Sequence, residues 1–409
     1  MTKRSLLIIG AGAEQIYAYK LAKKMGLLVI GSDINPNAPA REYSDHFILA
    51  SARDVSSTIN AVKKFNQEIA INGVLTLAND VPLTVATVAK ELKLPGIPID
   101  LAELSSNKLK MKECFQSNGI ATAPFEVVET LESINKFADK WGYPIVIKPN
   151  DGRGARGVLR ITSKMDEKWF KHAIDNSDNS WLLVEKYIDG KQLSTESLVY
   201  KGKCYTASIS QRNYDLLDLY SPFIIENGGV IPADLDTKQI ESIENIINST
   251  AKALKLNSGT IKGDIVLSKD GPVVIEVALR LSGGYLCTDQ IPITRGVDLV
   301  EQSIKLALGE PLNSMDLIPQ DICKMGIRYF FPKPGRIIEI NGFRELKQFN
   351  WITKKELFVD IGDTIHVPKN HSQRVGFVHA IGDSFAEAEQ RAILASKAVE
   401  IKTIPINLQ

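Results

Sequence analysis

The chain has 409 residues, which is enough for two to four domains with a large core. Apolar residues make up 44% and charged residues 24%, and the formal net charge of +1 gives no reason to expect a nucleic-acid or anionic-membrane surface. The four cysteines stand far apart and form no CxxC pair, which argues against a disulfide framework or a zinc site. The start, MTKRSLLIIGAG, lacks the apolar region of a signal peptide, and no stretch approaches the roughly 20 apolar residues of a membrane span. We therefore expect a cytoplasmic protein.

Residues 1–100 alternate strand and helix patterns, as is typical of a doubly wound α/β fold. Gly10 and Gly12 follow the first predicted strand and let the chain turn tightly at a helix N-terminus. Asp33 ends the second strand, where a dinucleotide fold would bind ribose. However, Gln15 stands where the third glycine of that fingerprint should be. A nicotinamide site and a glycine turn that serves packing or another anion are therefore both open.

A helix is predicted next, with Ser105 or Ser106 as its capping residue and Gly119 at its end. Lys108 and Lys112 are four residues apart and share one face of this helix. Two lysines on one face usually form a solvated surface, so this pair alone indicates little.

A glycine- and arginine-rich loop follows the strand YPIVIKPN, which carries Lys148. The loop holds Gly152, Arg153, Gly154, Arg156 and Gly157. Glycines expose backbone N–H groups and arginines add positive charge, so the loop could close over a polyphosphate. The alternative is a solvated hairpin tip. We favour phosphate binding, because a lysine on an apolar strand needs an anionic partner or a route to solvent.

Two further stretches could line a site. Glu185 to Ile188, after the strand WLLV, are predicted to form a linker whose backbone could face a flat ring. The segment SISQRNYDLLDLYSPFIIENGG holds Arg212, Tyr214 and Tyr220 and is a candidate wall for an acceptor pocket. Simple edge packing is an equally good interpretation of that segment.

The stretch from Ile261 to Gly284 predicts a β-hairpin, because Asp270-Gly271 is a turn signal between apolar, β-branched runs. We expect a three-residue loop, Lys269-Asp270-Gly271, with a left-handed glycine. Ser268 then pairs with Pro272, and this pair sets the register of the two strands.

This register places Asp264 directly opposite Glu276. The side-chain period of two puts Ala278 and Arg280 on the same face. Two carboxylates this close repel each other unless a cation neutralises them, and Mg²⁺ does so when phosphate oxygens complete its shell. On these residues alone, a surface hairpin with solvated acids is equally open.

Residues 320–409 predict a further α+β portion with four strands and a closing helix, FAEAEQRAILASKAVEI. His371 and Arg374, in the loop KNHSQRVG, could reach a site elsewhere in the chain. A solvated loop is the favoured interpretation of both residues.

Taken in this order, the motifs resemble the ATP-grasp carboxylate–amine ligases over nearly the full length. They are a Rossmann-like start, NK…K…NGI, VIKP with GRGARG, VEKYI, D-x₁₁-E with a following R, and GVDL. Biotin-carboxylase-like enzymes, purine-pathway ligases and bacterial L-amino-acid ligases are similar. The resemblance implies α/β and α+β architecture: a Rossmann-like domain (1–104), a two-subdomain ATP-grasp domain (105–318, lid about 120–190) and a C-terminal α+β domain (319–409).

The resemblance also implies roles for individual residues. ATP would be bound by Lys108, Lys148, Gly152, Arg153, Gly154, Arg156, Gly157, Glu185, Lys186, Ile188 and Gln192. Among these, the two lysines would contact phosphates, the loop would form a lid, and Glu185, Lys186 and Ile188 would frame adenine. Asp264 and Glu276 would bind Mg²⁺, with Mn²⁺ as an alternative. Arg280 and Lys148 would be catalytic, with Arg280 meeting the acyl phosphate or the carboxylate.

Two positions depart from the family pattern. The usual motif after the second acid is Glu-x-Asn, with the asparagine as a metal ligand, and this chain has Ala278 there. Asp264 also replaces the commoner glutamate. The metal shell is therefore expected to depend more on phosphates and water.

The resemblance predicts an ATP- and Mg²⁺-dependent, ADP-forming ligase that activates a carboxylate as an acyl phosphate and joins it to an amine. Its partners would be small-molecule carboxylates and amines, not nucleic acid or membrane, and a homodimer is an open alternative to a monomer. An NAD(P)-dependent oxidoreductase and a non-catalytic ATP-binding scaffold remain the alternative functions. The chain has no biotin-accepting segment, so a biotin carboxylase role would need a partner.

Overall fold

The structure is a computed structural model that describes residues 3–152 and 154–406. Its first part is a parallel sheet in the order β3-β2-β1-β4 with helices on both faces. Leu6 and Ile8 of the central strand enter one core and Leu7 and Ile9 the other, because successive side chains point to opposite faces. The predicted α/β pattern is confirmed. The elements are β1 (Ser5–Ile9), α1 (Ile16–Lys24), β2 (Leu28–Asp33), β3 (His46–Leu49), α2 (Val55–Asn66), β4 (Gly73–Leu75), α3 (Pro82–Glu91) and α4 (Ile99–Ser105).

A smaller antiparallel sheet follows, in the order β5-β8-β6-β7, and its apolar face packs against two helices. We call it the lid sheet, after the predicted lid subdomain. The elements of this stretch are α5 (Lys108–Ser117), β5 (Phe125–Val128), α6 (Leu131–Trp141), β6 (Ile145–Lys148), β7 (Leu159–Ile161), α7 (Glu167–Ile174) and β8 (Leu182–Lys186).

The rest of the chain builds a large antiparallel sheet in the order β13-β12-β9-β10-β11-β14-β18-β16, and a three-stranded sheet in the order β17-β15-β19. The large sheet takes strands from both sides of residue 318, so the division of the chain at 104 and 318 stays a prediction. The elements are β9 (Lys191–Tyr200), β10 (Lys203–Asn213), β11 (Gly228–Ile231), α8 (Thr237–Ala253), β12 (Gly259–Ser268), β13 (Gly271–Ala278), α9 (Ile291–Arg295), α10 (Leu299–Ala307), β14 (Lys324–Tyr329), β15 (Gly335–Asn341), β16 (Ile352–Leu357), β17 (Thr364–Ile365), β18 (Gly376–Gly382), α11 (Phe385–Ala398) and β19 (Glu400–Ile404).

The hairpin of β12 and β13 has the predicted pairing at Asp264 and Glu276, but the predicted turn and the predicted pair of Ser268 with Pro272 are wrong. Its loop has two residues rather than three, because Ser268 pairs directly with Gly271, whose φ is +116°. A bulge at Ile275 then adds one residue to β13. The short turn and the bulge compensate, so Asp264 lies opposite Glu276 as predicted.

The predicted cap of α5 is wrong. Asn107 is the capping residue, since its side chain accepts a hydrogen bond from the backbone N–H of Lys110. Ser105 and Ser106 instead end α4, where both hydroxyls donate to the carbonyl of Ala102. The predicted helix α5 is therefore preceded directly by another helix, α4.

The C-terminal segment contains the predicted closing helix, but its described part, to residue 406, has six strands rather than four, because the predicted strand KELFVDIGDTI is divided into β16 and β17 and because β19 was not predicted. β19 pairs antiparallel with β15, after α11 has returned the chain to that sheet. Within residues 3–152 and 154–406, we find no helix with the length and apolar character needed to cross a membrane.

Candidate active site

A cavity of about 480 Å³ lies between the lid sheet and the large sheet, and residues of the first and last parts of the chain also line it. Eleven predicted site residues line it: Lys108, Lys148, Gly152, Gly154, Glu185, Lys186, Ile188, Gln192, Asp264, Glu276 and Arg280. Two others do not. Arg156 is exposed, and Gly157 is buried against Pro149, where it serves the packing of the loop. Arg153 lies outside the described residues.

Asp264 is held by cations on both of its carboxylate oxygens. Nη1 of Arg212 lies 2.8 Å from Oδ1, and Nζ of Lys262 contacts Oδ2. Burial raises the pKa of Asp264, but the charges of Lys262 and Arg212 outweigh that effect and lower it to about 2. The carboxylate is therefore ionised at neutral pH, as a metal ligand must be.

Glu276, the second predicted metal ligand, is the more open of the two acids, with 35% of its side chain exposed. Nζ of Lys108 lies 3.9 Å from its Oε2 and also donates to the carbonyl of Gly152 across 2.6 Å. On the other side of the loop, the N–H of His371 donates to the carbonyl of Gly154 across 3.2 Å. The glycine-rich loop is thus held over the cavity from two sides.

Lys148 belongs to a buried triad with Glu185 and Lys112. The Glu185 carboxylate lies 2.6 Å from Nζ of Lys148 and 3.1 Å from Nζ of Lys112. Burial raises the pKa of Glu185, but the two ammonium groups outweigh it and lower the pKa below its usual value. Lys112, which the sequence indicated as a solvated residue, is buried, and its i, i+4 spacing from Lys108 is the signal that could have identified it.

Arg280 is positioned by an acid from the first part of the chain. Its Nε donates to Oδ1 of Asp80 across 2.6 Å. Burial lowers the pKa of the guanidinium, but the Asp80 charge outweighs it and raises the pKa. Asp80 follows β4 in the stretch ANDVP, and nothing in its local pattern marks it as a site residue.

A second cluster of charges also lines the cavity. Glu226 accepts from Nε of Arg212 at 2.8 Å and lies 3.7 Å from Nη2 of Arg374, whose guanidinium stacks 3.9 Å over the ring of Tyr329. Nε2 of His371 accepts from the N–H of Glu226 at 3.5 Å. Burial lowers the pKa of His371 to about 3, so this imidazole is neutral. The expectation of a solvated loop is wrong for His371 and Arg374, because both residues line the cavity.

The candidate acceptor segment divides between the site and the core. Arg212 and Tyr214 line the cavity, as expected if the segment forms a wall of an acceptor pocket. Tyr220 instead packs against Phe331, with ring centroids 5.8 Å apart, which is the edge-packing alternative.

The donor set on the hairpin fits one Mg²⁺. Asp264 and Glu276 offer carboxylate oxygens from paired residues, and substrate phosphates and water can complete an octahedral shell. A carboxylate has about four lone-pair sites, so Asp264 can accept from two cations and still bind a metal. Among the described residues, no group of three or more His, Cys, Asp or Glu side chains could hold a metal ion without such outside ligands.

Three family models match consecutive parts of the chain. The PylC-like N-terminal domain matches residues 6–99, the ATP-grasp domain residues 105–284, and the L-amino acid ligase C-terminal domain 2 residues 328–403. The chain contains an ATP-grasp domain. The ATP-grasp match contains the glycine-rich loop, the buried triad and both acids of the hairpin.

Relatives and solved structures agree with this assignment. An L-amino acid ligase from Bacillus licheniformis has 25% sequence identity, covers 99% of this chain and 100% of its own, and superposes with a TM-score of 0.83. An L-arginine-specific L-amino acid ligase from Bacillus subtilis is 25% identical over 68% of this chain and 67% of its own length. A phosphoribosylamine–glycine ligase from Pyrococcus horikoshii is 25% identical over 67% of this chain, and the match spans 66% of that relative's length.

These matches confirm the predicted fold and enzyme class. The ATP-grasp fold is present, and the chain is an ATP-dependent, ADP-forming ligase that makes a C–N bond. They favour this class over an oxidoreductase. Consistently, Asp33 accepts from the N–H of Ala11 at 2.9 Å and so fastens the glycine turn.

Proposed function

We propose that this protein uses ATP and Mg²⁺ to activate a carboxylate as an acyl phosphate, which an amine then converts to an amide. One observation carries the proposal: a single cavity brings together Asp264 and Glu276 for a metal, Lys148 for phosphate and Arg280 for a carboxylate. These groups come from the large sheet and the lid sheet, as expected if substrate binds between the two. A cavity of about 480 Å³ is in the range of small-molecule sites.

The nucleotide would lie under the glycine-rich loop. Lys108 and Lys148 would donate to its phosphates, and Gln192 would face the ribose. Lys186 and Ile188 line the cavity beside β8, where they can frame the adenine. Glu185 has a different part in this proposal, because its side chain is buried between two lysines and holds Lys148 in position.

Arg280 would orient the substrate carboxylate. One of its oxygens attacks the γ-phosphorus of ATP, the bond to the bridging oxygen breaks, and ADP leaves with that electron pair. An amine then attacks the acyl carbon, phosphate leaves, and the amine loses a proton. Asp264 and Glu276 would hold Mg²⁺, which would offset charge on the phosphoryl oxygens, and the ammonium of Lys148 would add to this effect. The protein therefore mainly positions reactants and offsets charge.

An amino acid suits the second cluster of charges in the cavity. Arg374 offers a guanidinium and Glu226 a carboxylate within 3.7 Å of each other, so the two charges of a zwitterion can each meet an opposite charge. The L-amino acid ligases among the relatives support this class. We propose that an amino acid is one of the two joined substrates.

The test is phosphate release by the purified protein with ATP, Mg²⁺ and paired panels of amino acids and small carboxylates. We expect release that requires Mg²⁺ and an added carboxylate, with an amide as the product. ATP binding without turnover across the panel would support the alternative of a non-catalytic scaffold, which Ala278 motivates.

A pair of variants on one hairpin tests the metal ligands. Glu276→Ala should abolish turnover while the protein stays folded, because half of the carboxylate donor set is lost. Asp270→Ala is the matched control, since Asp270 is an exposed acid at the turn of the same hairpin. Wild-type turnover by Glu276→Ala would refute the metal assignment.

The remaining expectations stay predictions. They are a cytoplasmic location, Mn²⁺ as an alternative metal, and a homodimer as an alternative to a monomer. Absorbance of a nicotinamide cofactor in the purified protein would revive the oxidoreductase alternative.

A further inference from the structure

Lys262 lies next to the proposed metal ligands. It precedes Asp264 by two residues on β12, so both side chains leave the same face of the strand. It pairs directly with Ala278, and this pair adjoins the pair of Asp264 and Glu276. These four residues form what we call the metal patch, and all four line the cavity.

The small side chain of Ala278 matters to this arrangement. Because it ends at Cβ, it leaves room above the sheet for the stem of the lysine opposite. The ammonium of Lys262 folds along the strand and contacts Oδ2 of Asp264. Only 15% of the Lys262 side chain is exposed, so the charge is held at the cavity wall rather than in bulk solvent.

The patch has donors for one divalent ion and lacks them for a second. Arg212 lies 2.8 Å from Oδ1 of Asp264, Lys262 contacts Oδ2, and Ala278 contributes no oxygen. A second Mg²⁺ needs near-octahedral oxygen ligands and would stand beside a fixed ammonium group. Coulomb repulsion between the two cations is strong in a partly buried site.

We propose that Lys262 takes the place of a second metal ion, so that the nucleotide binds with one Mg²⁺ and the Lys262 ammonium donates to its phosphate oxygens. An ammonium group suits this place, because it is a compact point charge with three donors. The inference rests on the proposed function, since it requires a triphosphate over the metal patch.

Metal counting tests the inference without any turnover. Mn²⁺ would be titrated into protein saturated with the β,γ-imido analogue of ATP, and free Mn²⁺ followed by electron paramagnetic resonance. The proteins compared are the wild type, Lys262→Met, Ala278→Asn and the double variant Lys262→Met with Ala278→Asn. Calorimetry would measure nucleotide binding in each, and circular dichroism would check the fold.

We expect one Mn²⁺ per bound nucleotide in the wild type. Ala278→Asn should also bind one, because the added amide oxygen still faces the ammonium of Lys262. The double variant should bind two, because it gains a ligand and loses the competing charge. Lys262→Met alone should weaken nucleotide binding about tenfold or more at fixed Mn²⁺, since a charge-assisted contact is lost.

Three results would overturn the inference while the proposed function stands. They are two ions in the wild type, a second ion in Ala278→Asn alone, and one ion in a double variant that still binds the nucleotide. A wild-type protein that binds no nucleotide at all would overturn the proposed function and the inference together.

Discussion

The Nε of Arg280 donates a hydrogen bond to Oδ1 of Asp80 across 2.6 Å and so joins the end of β13 to the loop after β4. The neighbouring backbone strengthens this junction, because Leu77 and Leu281 form a parallel bridge and the N–H of Ala78 donates to the carbonyl of Leu281. The first sheet therefore has a direct part in the proposed site. It fixes the arginine that would orient the carboxylate.

This contact predicts a specific kinetic defect in Asp80→Asn. The asparagine keeps the shape of the side chain and loses the charge, so Arg280 is held less firmly. A hydrogen bond to a charged group contributes about 1.5–3 kcal/mol, so kcat/KM for the carboxylate substrate should fall about 10- to 100-fold. The KM for ATP should change less than about threefold, because Arg280 is not one of the lysines and other residues proposed to bind ATP.

Asp139→Asn, an exposed acid on α6, is the control and should behave like the wild type. Equal losses for ATP and for the carboxylate in Asp80→Asn would contradict a positioning role and indicate a general disturbance of the cavity.

Two glycines of the glycine-rich loop are predicted to differ in their tolerance of alanine. Gly154 and Gly157 both have positive φ, +60° and +69°, so alanine is strained at either position. A Cβ on Gly157 would also lie 2.8 Å from Pro149 and 2.9 Å from Asn176, whereas one on Gly154 meets nothing within 4 Å. Gly157→Ala must therefore move the loop, and Gly154→Ala need not.

Binding of the β,γ-imido analogue of ATP, measured by calorimetry, should weaken about tenfold in Gly157→Ala, as overpacking usually costs roughly 1–3 kcal/mol. The loss in Gly154→Ala should be clearly smaller. Equal binding by the two variants would show that packing of the glycine-rich loop against Pro149 does not determine its position over the nucleotide.

The hairpin shows how far local sequence rules reach. Period two and a turn signal were sufficient to place Asp264 opposite Glu276, although the turn itself was predicted one residue too long. The bulge at Ile275 corrected that error, and no local pattern announces a bulge without a glycine. The predicted pairs between the turn and the bulge are each off by one residue, so the correct pairing of Asp264 with Glu276 results from two errors that cancel.

The charge clusters were beyond such rules. Lys112 and Glu185 are 73 positions apart in the sequence, and Arg374 reaches Glu226 across 148 positions. Each of these residues has the local pattern of an ordinary surface charge. Only the packing of separate sheets shows that they are buried and which residues pair, although the resemblance had already assigned Glu185 to the nucleotide site.

The buried triad predicts a stability loss in Glu185→Gln. The substitution leaves Lys112 and Lys148 close together without the charge that neutralises them. Removing one partner from a buried ion pair typically costs about 3–5 kcal/mol, so the free energy of unfolding in urea should fall by roughly this amount at pH 7. Glu339→Gln is the matched control, because its ion pair with Lys402 is exposed and contributes little. A Glu185→Gln protein as stable as the wild type would refute a buried charge network at the phosphate lysines.

The pKa of Glu226 predicts how the free energy of unfolding depends on pH. Burial raises its pKa, but Arg212 and Arg374 outweigh that effect and lower the pKa from 4.5 to about 2. A carboxyl group with a depressed folded-state pKa stabilises the protein above its unfolded-state pKa, and this contribution is lost as pH falls through the folded-state value. The shift corresponds to roughly 3 kcal/mol, present at pH 7 and lost progressively between about pH 4.5 and pH 2. The urea-unfolding free energies of wild type and Glu226→Gln should therefore differ most at pH 6–7, converge by roughly 2 kcal/mol at pH 3, and lose most of the remaining difference near pH 2. Glu132→Gln, which removes an exposed pair with Lys136 on α6, should run nearly parallel to the wild type. A constant difference between wild type and Glu226→Gln from pH 7 to pH 3 would show that Glu226 is not held ionised by the two arginines.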